Sequence, residues 1–480
     1  MAYIKGTDRR QTTLFPESID DYVCEDNPVR VIEAFVENLD IVALEFKRAQ
    51  TAPVGRPPYD PRDLLKLYLY GYLNRIRSSR KLESEAARNL EVIWLLSSLK
   101  PDFKTIADFR RDNKEALRRV FKQFSLLCKE WGLFAQTLVA IDGSKFKANN
   151  SKKNNYNRKK LKRHLKYIDE KINDYLHELE EGDQREEDIH KPTAQEIAEH
   201  IEQLKNRKLD YEEKLNAIEK SDVKEISTTD PDSRQMAVNN NGTDICYNVQ
   251  TVVDGEHCLV IDYDVINNPT DHSQLSNMAK RGQAVLKAKE LHVLADKGYY
   301  SAPELKSCEE LGFKTYVTKQ KFAGRTKDKE FYQAKFSYDK EHDRYICPAG
   351  QALYPGRYRK HEGKIIGRDY LNYKACKACD VKDRCTKGKR GRTVYRNNDQ
   401  DLLDKIDQRT REDKELYNRR QMIVEHPFGT IKRNWGFSYF LTRGLQSVSA
   451  ESGLAFLAYN MKRAINIMGV REMVKRLQEA

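Results

Sequence analysis

TLVAIDGSKFKANN, Thr137 to Asn150, is where the hydrophobic period of this chain changes. Upstream, apolar residues recur at helical spacing. TLVAID is instead a short β-rich run that ends at Asp142, with Gly143 and a polar, lysine-bearing stretch behind it. An aspartate at the carboxyl end of a buried strand stands where open α/β sheets place their ligands. Aspartate before glycine is also a common turn pair, so this stretch alone leaves both readings of Asp142 open. A second run, ELHVLAD (Glu290 to Asp296), also ends in aspartate and is followed by KGYYS. Between the two, CYNVQTVV (Cys246 to Val253), Asp254-Gly255 and CLVIDYDV (Cys258 to Val265) predict a hairpin with Asp-Gly as its turn. That turn role accounts for Asp254, which is therefore not counted as catalytic. Helices over Ser273 to Ala288 and Pro303 to Leu311, then a strand over Phe313 to Thr318, complete an α/β order.

Further along lies YNRRQMIVEHPFGTIK, Tyr417 to Lys432. A helical step of seven returns to nearly the same face, so Glu425 and Lys432 can point the same way. A carboxylate flanked by Arg and Lys can hold a divalent metal while the cations hold phosphates. Pro427 implies either a kinked helix or a Glu425 in the first helical turn. The plainer alternative is a basic amphipathic helix with a surface glutamate.

Lys plus Arg exceeds Asp plus Glu by 86 − 73 = 13, and the pI is near 9.0. Such an excess suits a polyanionic partner, most simply nucleic acid. Anionic membrane is the rival, but no apolar run approaches a spanning length. MAYIKGTDRRQ lacks the apolar core of a signal peptide, so a cytoplasmic protein is expected. At 480 residues, two to four domains are expected.

Residues 1–132 read as a helical, DNA-binding domain. GRPPYDP (Gly55 to Pro61) is a rigid extended lead, Leu64 to Leu73 an apolar helix and Glu83 to Leu96 a second. A cap at Thr105 then opens a basic helix reaching about Trp131. A plain helical bundle is the alternative to a helix-turn-helix-like unit. The remainder, 133–480, reads as one domain with two insertions. The first, 150–228, is a charged helical hairpin with an apolar seam (Leu161, Leu165 and Ile168 against Ile197, Ile201, Leu204 and Leu209). Its base is basic, and EEGDQREEDIHKPTA forms its loop. The second, 319–413, holds four of the nine cysteines: Cys347, Cys376, Cys379 and Cys385. A C-x2-C pair with two further cysteines predicts a structural metal site, zinc first and an iron–sulfur cluster second, with free thiols the alternative.

AIDGSKFKA, YNVQTVVD, VLADKGYYS and YNRRQMIVEHPFGTIKR together resemble the bacterial DDE insertion-sequence transposases. The last is similar to that family's Tyr-Arg-Glu-Lys block, with four residues rather than three between Arg420 and Glu425. GRPPYDPRDLLKLYLYGYLN with PDFKTIADFRRDN resembles the helical domain that precedes the catalytic core in this group. The resemblance implies a ribonuclease H-like mixed sheet with flanking helices. It implies Asp142, Asp296 and Glu425 as catalytic ligands of Mg²⁺ (or Mn²⁺). Tyr417, Arg420 and Lys432 are then DNA contacts, joined by Lys145, Lys147 and Lys297 beside the two aspartates. The implied activity is cutting double-stranded DNA at element ends and joining 3′-hydroxyls to target DNA by two-metal catalysis, by a homodimer on DNA. A metal-dependent nuclease without strand transfer and an inactive transposase-derived DNA-binding protein are the alternatives.

Overall fold

The computed structural model describes residues 18–50, 57–182, 194–220, 224–238, 242–319, 326 and 328–479. The N-terminal stretch MAYIKGTDRRQ, Gly55-Arg56 of the extended lead, most of the hairpin loop and part of the start of the second insertion lie outside them.

Five strands build the central sheet: Leu138–Lys147, Thr243–Asp254, Val260–Ile266, Leu291–Ala295 and Phe313–Val317. In space they run third, second, first, fourth, fifth. The first three pair antiparallel, and the last two join the first in parallel. This is the ribonuclease H order, the fold that the resemblance implies. A short strand, Arg234–Ala237, shares an edge of Thr243–Asp254 with Val260–Ile266.

Side chains alternate across a strand, and here the alternation divides two cores. Val139, Ile141, Val293 and Ala295 face the main core. Ala140, Leu294 and Tyr316 face Ile423 and Val424 on the Glu425 helix, Lys414–Phe428. On the main-core side, helix Lys114–Glu130 lies along the third strand. Phe121 meets Tyr263 edge-on at 4.9 Å, and Ser125 Oγ donates to Ile261 O at 2.6 Å. The closing helix, Leu445–Met468, binds that strand too. Asn460 accepts from Val260 N–H (2.8 Å) and donates to Val260 O (2.7 Å), standing in for a further strand at the sheet edge. One continuous hydrophobic core runs from the N-terminal helices into the sheet.

Several boundaries depart from the sequence reading. The first strand does not end at Asp142 but continues to Lys147 against Thr243–Asp254. What ends there is the parallel ladder, whose last pair is Ile141 with Ala295. The hairpin turn is longer than Asp-Gly. Asp254 is still paired with Val139, and the chain turns through Gly255 to Cys258, the latter at φ 57°. The helix expected over Glu83 to Leu96 is two, Ser79–Arg88 and Leu90–Leu95, broken where Asn89 turns extended and caps the second. Asp102, not Thr105, caps the next helix, Phe103–Asp112, by accepting from Lys104 and Thr105 N–H. Asn113 then breaks it from Lys114–Glu130, its side chain accepting from Lys47 N–H at 2.7 Å. Pro427 neither kinks the Glu425 helix midway nor puts Glu425 in the first turn. It lies in the last turn, and a π-turn over Gly429–Asn434 follows.

The hairpin helices, Arg158–Gly182 and Ala194–Lys220, lie against one another. Leu161 and Ile168 are buried with Ile197 and Ile201, whereas Leu209 is exposed outside the seam. The strand pair Asn155–Asn157 and Glu225–Ser227 closes their base. The second insertion forms its own five-stranded antiparallel sheet, with a core of Phe336, Tyr345, Leu353, Tyr370 and Val394.

Candidate active site

Asp142 follows Ile141 and Asp296 follows Ala295, so the two aspartates stand at one level, just past the last pair of the parallel ladder. Each lies two residues beyond a side chain facing the Glu425 helix, Ala140 and Leu294 respectively. Alternation therefore sends both toward that helix. Burial first, then the charge of Asp296, pushes the Asp142 carboxyl up to about 7. Arg420 and the Gly143 N–H oppose that rise. Asp296 Oδ1 accepts from Gly298 N–H at 2.7 Å, which shapes the turn Lys297–Tyr299.

Lys432 joins these residues from the π-turn. Its ammonium donates to Ser144 Oγ (2.9 Å) and Lys145 O (2.6 Å), and lies 4.5 Å from the Phe146 ring centroid. Desolvation lowers its pKa, and the Asp142 charge partly restores it. A π-turn widens the helix by one residue per turn and is frequent at functional sites. Here it carries the chain from the exposed Glu425 to the enclosed Lys432.

The other candidates divide. Tyr417 packs at the edge of the same small core and shares a 2.9 Å hydrogen bond with Thr318, beyond the fifth strand. Arg420 stacks toward the Tyr417 ring at 5.8 Å, and its Nε is buried without a partner. Glu425 is exposed and accepts from Gln421 Nε2 at 2.9 Å. Lys147 is exposed and pairs with Asp244 at 3.0 Å. Lys297 is exposed in the turn after Asp296. Lys145 does not join the group around Asp142, being drawn to Asp271 at 3.2 Å. Among the described residues, no three His, Cys, Asp or Glu side chains stand at metal-holding geometry. Asp142 thus has Asp296, Arg420 and Lys432 within electrostatic reach, while Glu425 lies on the exposed face of the adjoining helix.

Sequence reasoning missed a polar cluster behind Asp142. Asp271 Oδ1 accepts from Asn248 Nδ2 and Gln250 Nε2, both at 2.7 Å, and from Lys145. Tyr299 donates to Gln250 Oε1 at 2.5 Å. A Cβ at Gly143 would fall 2.1 Å from Gln250 Nε2 and 2.8 Å from Asp271 Oδ1. Glycine after Asp142 is therefore required by close approach, not by a turn. The available signal was Asn248 and Gln250, two amides inside a buried strand. Asp254, by contrast, takes N–H groups from Ala135, Glu256 and His257, which agrees with a structural role.

In the second insertion all four cysteines line one cavity with Phe331, Phe336 and Arg392. The Gln351 N–H points at Cys347 Sγ (3.3 Å), and Cys347 N–H donates to Gln351 O (2.9 Å). Gly391, at φ 112°, lies so close to Cys376 that a Cβ would meet its side chain at 2.4 Å.

Two family models match the chain. The Transposase DDE domain covers residues 346–465, and a Transposase domain (DUF772) covers 17–112. Both matches are to transposase domains, one toward each end of the chain, and together they indicate an insertion-sequence DDE transposase. The DDE match holds Glu425, Lys432 and all four clustered cysteines, and the second match spans most of the N-terminal helices. No curated protein matches the chain. Among solved structures, a cryo-EM structure of piggyBac transposase in a synaptic complex with hairpin DNA is similar at 9% identity and a TM-score of 0.34. The similarity covers 94% of this chain and 79% of that one. No described helix is long and apolar enough to cross a membrane.

Proposed function

We propose that this chain cuts phosphodiester bonds at the ends of an insertion sequence and joins the freed 3′-hydroxyls to target DNA. The observation that carries this reading is the pair Asp142–Asp296, two carboxylates side by side with one pushed up to about 7 partly by the other. Such a pair is under-neutralised and made of the hard oxygen donors that Mg²⁺ or Mn²⁺ prefers, so the residues fit a divalent ion. Asp142 and Asp296 would hold the ions, and Glu425, exposed on the adjoining helix, would join them only by turning inward; the ions would supply activation of the attacking oxygen and stabilisation of the leaving one. Arg420 and Lys432 bind and orient the phosphates beside the carboxylates, with Tyr417, Lys147 and Lys297 at the margin. Residues 1–132 bind the element ends, and 133–480 form the catalytic domain around the insertions 150–228 and 319–413. The protein works in the cytoplasm on nucleoid DNA.

The test is the purified chain with Mg²⁺ and a plasmid carrying the inverted repeats that flank its coding region. Cutting at the repeat ends, followed by joined products, supports the proposal. Cutting without joining makes it a nuclease, and binding without cutting makes it an inactive relative.

The four cysteines line one cavity without standing at metal-holding geometry, and we propose that they draw together on structural zinc. Elemental analysis should return one zinc per chain. A brown protein with iron would favour a cluster, and metal-free protein of unchanged stability would refute the site. We also propose a homodimer on end DNA, assembled in part by the 158–220 hairpin. Replacing the hairpin with a short Gly-Ser linker should then lower paired-end cutting more than single-end cutting, and light scattering should report a monomer on DNA. A persisting dimer would exclude the hairpin as the assembly device.

A further inference from the structure

Within the second insertion, strands Ala352–His361 and Lys364–Leu371 pair beyond the width of their sheet. The neighbouring strand Thr393–Asn397 reaches only Gly367 to Leu371. All ten residues from Arg357 to Ile366 are exposed. Three are apolar or aromatic, Tyr358, Ile365 and Ile366, and Tyr358 is 56% exposed. An exposed two-stranded ribbon that carries apolar side chains needs an occupant.

Charge says which. Arg357, Arg359, Lys360 and Lys364 face a single acid, Glu362, within that run. Two of the arginines are locked by the buried Asp369, which accepts from Arg357 Nε at 3.0 Å and Arg359 Nε at 2.6 Å. Arg368 lies over the Tyr358 ring at 4.7 Å. At the base, Asn398 donates to Ile365 O (2.7 Å) and Ile366 O (3.1 Å), and Tyr395 donates to Ile366 O (2.9 Å). The ribbon is thus braced where it leaves the sheet, and Lys360 and Lys364 stand at its exposed tip.

We propose that this ribbon is a DNA-docking element that enters a groove of duplex DNA flanking the cut site. A two-stranded ribbon fits the major groove, which is about 12 Å wide. The exposed run, at about 3.3 Å per residue along each strand, reaches roughly 15 Å, enough to cross it. Lys360 and Lys364 would take phosphates, and Ile365 and Ile366 would meet base edges or methyl groups. This rests on the DNA-cutting reading above and adds where the duplex beside the cut is held.

The test measures binding of full-length Asp142→Asn protein to an end duplex across a salt series, so that cutting does not interfere. Lys360→Ala/Lys364→Ala should lower the slope of log affinity against log salt by about 2, one per phosphate contact. Replacing Lys360 to Ile365 by Asn-Gly should lower it as much and erase one patch of the hydroxyl-radical footprint. Thermal unfolding of both variants, matched to the parent, shows that the fold is intact. Unchanged affinity, slope and footprint would overturn the ribbon inference alone. A loss of self-association without change in DNA binding would also overturn it, assigning the ribbon to a second protomer. Failure of the parent to bind duplex at all would instead sink the DNA-cutting reading.

Discussion

Asp142→Asn is expected to abolish DNA cutting, leave DNA binding intact and raise the stability of the metal-free protein. The first effect follows from removing a carboxylate that would hold a divalent ion at the reacting phosphate. A loss of at least about a thousandfold, ~4 kcal/mol of barrier, is expected. The second follows because the phosphate contacts assigned to Arg420 and Lys432 belong to other elements. The third is the more diagnostic. Burial and the neighbouring Asp296 raise the Asp142 carboxyl to about 7, whereas in an unfolded chain it ionises near 3.9. A raised carboxyl favours the native state only where it is protonated, so stability falls as pH rises from about 4 to 7 and stays reduced above. Asparagine removes that loss. In chelator, the melting temperature of the variant should match the parent near pH 4 and exceed it at pH 8 by about 1–3 °C. Retained cutting would end the catalytic assignment, and equal melting at pH 8 would show that burial and Asp296 together do not raise the Asp142 carboxyl.

Glu425→Gln separates two views of the third carboxylate. Glu425 is exposed and bonded only to Gln421 among its described hydrogen bonds, so the substitution should leave the melting temperature within about 1 °C. If Glu425 completes the metal site, cutting falls as steeply as for Asp142→Asn. Cutting within about twofold of the parent would remove Glu425 from the chemistry.

How far the sequence carried depends on what each residue's role needs. Asp142 and Asp296 were legible because a short apolar run closing on a carboxylate is a local pattern, although the first strand runs on past Asp142. The break at Asn89 was not foreseen, because helical period persists across a single extended residue, and the cap at Asp102 was placed three residues late, at Thr105. The polar cluster of Asn248, Gln250, Asp271 and Tyr299 was not found. Its members are drawn from one strand, a loop and a turn, and only the fold brings them behind Gly143. The ion pair of Lys145 with Asp271 was hidden for the same reason.

Glu451→Ala is expected to cost about 3–5 kcal/mol of stability, far more than a substitution at the exposed Glu425. The carboxylate is 2% exposed. It accepts from Leu441 N–H (3.1 Å), Thr442 N–H (3.0 Å), Thr442 Oγ1 (2.8 Å) and Arg77 Nη1 (3.4 Å). Arg77 in turn lies 4.3 Å from the Phe437 ring centroid and 4.7 Å from that of Tyr439, and donates to Tyr439 O at 2.7 Å. Alanine would strand a buried guanidinium and two backbone N–H groups together, which is why the loss exceeds that of an ordinary hydrogen bond. Arg77→Met should cost less, because methionine fills the space between the rings and leaves Glu451 its other three donors. The double variant should then be more stable than the sum of the two losses predicts. Urea unfolding at one pH measures all three. Glu451 also ties the N-terminal helices to the segment from Trp435 to Thr442, immediately after the π-turn that carries Lys432. A loosened segment would let Lys432 drift from Ser144, so the variant should lose cutting at temperatures where it is still folded, and high Mg²⁺ should not restore it. A cost below about 1 kcal/mol would show that water replaces the carboxylate, and that Lys432 is held by its own turn alone.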